Sequence, residues 1–170
     1  MSLVFQNFYP QAIEHSDLSS KDKTQLTTYG FPSCGYVPVI YDYYTPCLEA
    51  FSIMYLQDVC YVGIAFDVGT GIYLSIQTTT GYLVFLYVQH HVVDILNTDD
   101  ERFIQSIRLC DTFFNKHQDF LKDIIAPTDE NKSALIKLQH ELILLDPSLW
   151  RDSSNGWAVF IEELSYLIED

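Results

Sequence analysis

Positive charge is scarce in this sequence, and the scarcity is concentrated. Nine Lys and Arg stand against 23 Asp and Glu, for a net charge of −14. From Thr24 to Glu101 there is no Lys or Arg at all, whereas Asp42, Glu49, Asp58, Asp67, Asp94, Asp99, Asp100 and Glu101 are acidic. A field of this sign repels phosphate backbones, which argues against direct nucleic-acid binding. It attracts a basic partner and speeds the encounter.

Other absences narrow the class further. The apolar runs YLVFLYV (82–88) and FSIMYL (51–56) fall far short of the ~20 residues that a membrane-spanning helix requires. The start, MSLVFQNFYPQ, lacks a charged segment followed by a long apolar one, so no secretory signal is expected. The expected setting is soluble and cytoplasmic. Cys34, Cys47, Cys60 and Cys110 form no CxxC pair. That spacing predicts free, mostly buried thiols rather than a disulfide framework or a structural zinc site. The sequence contains no GxGxxG, GxxxxGK[ST], GxSxG or HExxH pattern, and so none of the phosphate-cradle, nucleophile-elbow or zinc-protease signatures. No catalytic residue, metal or cofactor is expected.

Apolar and aromatic side chains are what the chain has in quantity. Hydrophobic residues make up 48% and aromatics 15%, enough to exclude intrinsic disorder. The 170 residues suit one domain spanning 1–170. LSSKDKTQLTTY (18–29) predicts a short helix capped by Ser19 or Ser20 and stopped at Gly30, and Phe31-Pro32 turns the chain out of helical geometry. YVPVIYDYY, CLEAFSIMYL, VCYVGIAFD, GIYLSIQT and YLVFLYVQHHVV read as strands, rich in β-branched and aromatic residues and separated by short turns. Connections that short favour antiparallel neighbours. After Asn97 the apolar period becomes helical. Phe103, Ile104, Ile107, Cys110, Phe113 and Phe114 form one stripe, and Ala134, Leu135, Leu138, Leu142 and Leu145 a second. Trp157, Phe160, Ile161, Leu164 and Ile168 form a third. Ala126-Pro127 and Asp146-Pro147 separate the helices, with Thr128 as the expected cap of the middle one. The expected fold is α+β, a central antiparallel-dominated sheet of four to six strands flanked by helices.

Two stretches carry candidate chemistry. In HHVVDILNTDDERFIQSI (90–107), His90 and His91 continue the preceding strand and point to opposite faces, so they cannot easily grip one ion. His15, His117 and His140 add no metal-ligand spacing. Thr98-Asp99-Asp100-Glu101 fits S/T-x-x-E, which predicts a capping box with Thr98 as N-cap and Glu101 reaching back. Acidic residues there complement the helix dipole, while Arg102 and Arg108 come later. Glu162-Glu163 reads as a solvated helix edge. Tyr41, Asp42, Tyr43 and Tyr44 form an acidic, aromatic cluster suited to a protein interface with a basic partner; packing of an edge strand with its turn accounts for the same residues.

Three segments, in this order, resemble one family. LSSKDKTQLTTYGFP (18–32) matches an opening helix with a Gly-hydrophobic-Pro end. VGIAFDVGTGIYLSIQTTTGYLVFLYVQHHVVDILNTDDERFIQSI (62–107) matches a hairpin with Gly-containing turns and an Asn-Thr before the next helix. LQHELILLDPSLWRDSSNGWAVFIEEL (138–164) matches a helix, Asp-Pro, polar loop and Trp-led helix. The chain thereby resembles the SUKH superfamily, and most of all its fourth immunity-protein subfamily. The resemblance implies an α+β fold without catalytic residues. It also implies a role as cytoplasmic antidote to a cognate polymorphic toxin, such as a nuclease or deaminase. A regulatory or scaffold module of the same fold is the alternative, since the superfamily is not uniform in function.

Overall fold

The computed structural model describes residues 3–34, 44–117, 129–151 and 155–169. Local chemistry sets the first elements. Pro10 opens a short helix α1 (Pro10–Glu14), where the missing N–H costs nothing. Ser19 caps α2 (Ser20–Tyr29), its hydroxyl accepting from the Asp22 amide at 3.2 Å and donating to the Asp22 carboxylate at 2.7 Å. Gly30 ends α2 at φ +67°, and a Cβ there would lie 2.5 Å from the Gln6 carbonyl oxygen. Only glycine suits that turn. The turn releases β2 (Phe31–Cys34) to pair antiparallel with β1 (Val4–Gln6). This small ribbon and α1 are additions to the expected elements.

Among the described residues the main sheet has six antiparallel strands: β3 (Tyr44–Pro46), β4 (Ser52–Leu56), β5 (Val59–Asp67), β6 (Tyr73–Gln77), β7 (Leu83–Tyr87) and β8 (Val92–Asn97). Its order is β3-β5-β6-β7-β8, with β4 also on β5. Gln57 and Asp58 both adopt positive φ between β4 and β5, the backbone of a tight two-residue hairpin. Gly71 and Gly81 supply positive φ in the next two turns.

Two expectations in this region need correcting. The strand expected over 82–93 is two strands, because Val88 to His91 form a hairpin turn between β7 and β8 with His91 at φ +56°. The capping box at Thr98 is also displaced. The N-cap is Asp99, whose carboxylate accepts from the Arg102 amide at 2.8 Å. Thr98 instead donates its hydroxyl to Asp146, and Glu101 accepts from Gln105. A carboxylate accepts a helix-terminal N–H as well as a hydroxyl does and adds charge the dipole favours. Most of the strand expected over 36–44, and the expected cap Thr128, lie outside the described residues.

Three α-helices follow among the described residues: α3 (Asp100–Lys116), α4 (Asp129–Leu145) and α5 (Gly156–Glu169). Their buried side chains are the predicted stripes, Phe103, Ile104, Ile107, Cys110, Phe113 and Phe114 on α3, Leu135, Leu138 and Leu142 on α4, and Trp157, Phe160, Ile161 and Leu164 on α5. They meet Val62, Ile64, Leu74, Ile76, Leu83, Phe85 and Leu96 of the sheet in one core. Gly156 permits a close approach of α5 to the sheet, since a Cβ there would lie 2.9 Å from Leu96 Cδ1. The fold is α+β, an antiparallel sheet with helices packed on one of its faces.

Candidate protein-binding face

Because strand side chains alternate, the residues between the core-facing positions form a second face. The register defines its rows. Gly63 lies opposite Ser52 and Ser75, Ser75 opposite Val84, and Val84 opposite Ile95. Tyr61 lies between Met54 and Gln77. Phe66 neighbours Tyr73, then Leu86 and Val93. This face is apolar and aromatic where a solvated sheet face would be polar.

Tyr61, Val84 and Leu86 are buried at its centre, with Met54, Leu56, Val59, Tyr73, Tyr82 and Val93 packed against them. Among the described residues every member of this cluster comes from β4 to β8 or an adjoining turn, and no helix contributes. Gly63 makes the packing possible. A Cβ there would meet Tyr73 Cδ1 at 2.8 Å and Met54 Cε at 2.9 Å, so the two side chains close over bare backbone. The Tyr73 ring also lies 4.4 Å from the Phe66 ring, tilted by 36°. Tyr carries large contact area at low entropic cost, and such surfaces suit protein partners.

The formal charges carried by the sheet strands and the turns between them are all of one sign. Glu49, Asp58, Asp67 and Asp94 are the ionisable acids between β3 and the end of β8, with no Lys or Arg among them. The Asp67 carboxyl is held below its usual range by the Thr70 hydroxyl first and the Gly69 and Thr70 amides besides. It is therefore a fixed negative charge at the β5–β6 turn. The Tyr61 phenol is pushed up by burial, and the Tyr87 phenol by burial and then the neighbouring Asp94. Both stay neutral near pH 7 and are not nucleophiles, and Tyr87, packed against the helix-side core, already hydrogen-bonds Asp94. Burial likewise pushes up the Cys47 and Cys110 thiols, the direction opposite to activation.

The described residues include only part of the set singled out from sequence. Tyr41, Asp42 and Tyr43 lie outside the described residues. Tyr44 is half-buried on the helix-facing side, stacked on Phe85 with ring centroids 5.7 Å apart. Its phenol is raised by burial first, then by Tyr87 and Asp67. His90 and His91 are exposed in the β7–β8 turn. Among the described residues no group of three or more His, Cys, Asp or Glu is placed to hold a metal ion. Cys47, Cys60 and Cys110 are free thiols.

The acidic run after β8 serves helix geometry. Asp99 caps α3 and pairs with Arg102 at 3.0 Å and Lys21 at 3.2 Å. Asp146, read from sequence only as a helix stop, is the hub of a buried polar clamp. It accepts from the Thr98 amide at 2.8 Å, the Thr98 hydroxyl at 3.0 Å and Asn97 Nδ2 at 3.3 Å. Asn97 Oδ1 in turn accepts from Trp157 Nε1 at 2.8 Å. The clamp ties β8 to the end of α4 and the start of α5, with every named carboxylate oxygen satisfied by donors of the chain itself. Among the described residues no helix contributes to the aromatic cluster on the other face of the sheet. No family model, curated protein or solved structure matches this chain.

Proposed function

We propose that the chain is a non-enzymatic immunity protein that binds a cognate polymorphic toxin, such as a nuclease or deaminase, in the cytoplasm and blocks its active site. One observation carries the reading: a tyrosine-rich, apolar sheet face without helix cover among the described residues, in a stretch with no cation from Thr24 to Glu101. The resemblance to the SUKH immunity subfamily points the same way. A toxin cleft built to hold nucleic acid is basic, so acidic side chains at the rim would speed association and aromatic area would slow release. Tyr41, Asp42 and Tyr43 are proposed as further contact residues on their aromatic and acidic chemistry alone.

Co-expression with the toxin domain encoded beside this chain, followed by mixing of the purified proteins, tests the proposal. Rescue of growth and a complex at micromolar concentration are expected. Neither rescue nor complex would overturn it in favour of a regulatory or scaffold role.

A further inference from the structure

Among the described residues the six-stranded sheet ends on β8 at one side and on β3 and β4 at the other. Open strand edges present unpaired backbone groups and are normally protected by charge, proline, bulges or cover. β8 is protected: it contains Asp94, and the turn Leu149–Arg151 packs beside it. β3 is three residues long and ends in Pro46, which has no N–H to offer. β4 has less protection, although α1 and the turn after it share a groove with Ile53. It pairs in unbroken register with β5 from Ser52–Gly63 to Leu56–Val59, and SIMYL contains no charge and no proline. No described strand lies on its other side. Ile53 and Tyr55 are nonetheless 47% and 72% exposed.

We propose that β4 is a docking edge that takes up an extended, Lys- or Arg-bearing segment of the partner protein as an added strand. The inference rests on the binding reading above and says how that partner attaches. Added strands gain affinity from main-chain hydrogen bonds and specificity from alternate side chains. Here Met54 already belongs to the open aromatic face, so a strand on β4 would extend that face without a break.

Charge selects the occupant. Exposed Glu49 and Asp58 flank β4 in sequence. The Tyr55 phenol is pushed up by the neighbouring Cys60 first and by Asp17 last, which places a third acid near the same edge. A second copy of this chain would bring the same acids against these, each copy carrying −14, so self-pairing is repelled. A basic segment is attracted.

The test uses the full chain and a short synthetic peptide of alternating Val and Thr with Lys at both ends. Its counterparts carry Glu at the ends, or a central Pro. Amide chemical shifts and hydrogen exchange are followed on titration. The Lys peptide is expected to shift and protect the amides of Ser52 to Leu56, while the Glu and Pro peptides do not. Tyr55→Lys or Ile53→Lys, gatekeepers at exposed positions, should weaken binding by about tenfold or more. Absence of binding into the millimolar range, or shifts that map elsewhere, would overturn the proposal. So would a concentration-dependent dimer abolished by Tyr55→Lys, which would make the occupant a second copy. Neutralisation separates this proposal from the function: a Tyr55→Lys chain that protects against the toxin as well as the wild type removes the edge and leaves the immunity role. Peptide docking with no protection by the wild type removes the role and leaves the edge.

Discussion

Trp157 Nε1 donates a 2.8 Å hydrogen bond to Asn97 Oδ1 across 60 residues of sequence, and both side chains are buried. The bond fixes the start of α5 on the last residue of β8. Trp157→Phe keeps an aromatic ring but strands the Asn97 oxygen, which costs about 1–3 kcal/mol. Asn97→Ala also takes a donor from Asp146 and so costs at least as much. The double variant should cost less than the sum of the two, by about 0.5–3 kcal/mol for groups in direct contact. Urea denaturation of the four proteins measures this. Simple additivity would show that the bond contributes nothing to stability.

Asp100 sets the pH dependence. Both of its carboxyl oxygens and Gln25 Oε1 are buried without hydrogen-bond partners, and the two residues line one small cavity between α2 and α3. Burial raises the Asp100 carboxyl to about 8, with Asp22 and Asp99 adding to the rise and Lys21 opposing it. At neutral pH Asp100 therefore keeps its proton. Its folded value lies above the unfolded one, so its contribution is complete below 3.8 and lost as pH rises through about 8. Asp100→Asn keeps a donor and does not titrate. It should remove that slope and stabilise the protein by about 1–3 kcal/mol near pH 8. Denaturation midpoints at several pH values for both proteins decide the matter, and parallel curves would refute it.

Much of this architecture was legible in the sequence because it rests on local chemistry. The cap at Ser19, the stop at Gly30 and the three helical stripes depend on residues within a few positions of one another. What was not legible depends on partners distant in sequence. β1 is three residues long and becomes a strand only through pairing with β2. Asp146 looks like a helix stop until Asn97 and Thr98 arrive beside it. The β7–β8 hairpin lacks glycine and asparagine-glycine signals, since His91 takes the positive φ usually left to them, so its apolar flanks read as one strand. The open face was hidden for a related reason. Alternation shows that β5 to β7 are apolar on both sides, but which side the helices cover follows from Trp157 and Phe103 docking, not from the strands.

Gly63 is the packing pivot of that face. Gly63→Ala would place a methyl 2.8 Å from Tyr73 Cδ1 and 2.9 Å from Met54 Cε. Met54 can swing aside, but Tyr73 is held against Phe66. Overpacking of this kind costs about 1–3 kcal/mol. Gly69→Ala, where the nearest atom is Asp67 Oδ1 at 3.3 Å, should cost clearly less. Thermal or urea denaturation compares the two. The Tyr73 ring resonances should shift in the first variant alone, and equal costs would show that the face tolerates a side chain at its centre.

The charge distribution makes a kinetic prediction for the proposed complex. Asp58 is exposed at the β4–β5 turn, in a stretch with no Lys or Arg from Thr24 to Glu101. Exposed charges act on a partner over about 10 Å at 0.1 M salt and much less at 1 M. Raising salt from about 0.05 to 0.5 M should slow association with a basic toxin domain by roughly 10- to 100-fold, while dissociation changes little. Asp58→Lys should reproduce part of that slowing at low salt. Tyr73→Ser, which removes aromatic area without altering charge, should speed dissociation and leave association nearly unchanged. Stopped-flow association and surface-based dissociation measurements separate the two rates. If Tyr73→Ser acted only on association, or salt only on dissociation, charge and aromatic area would not have the separate roles assigned to them on this face.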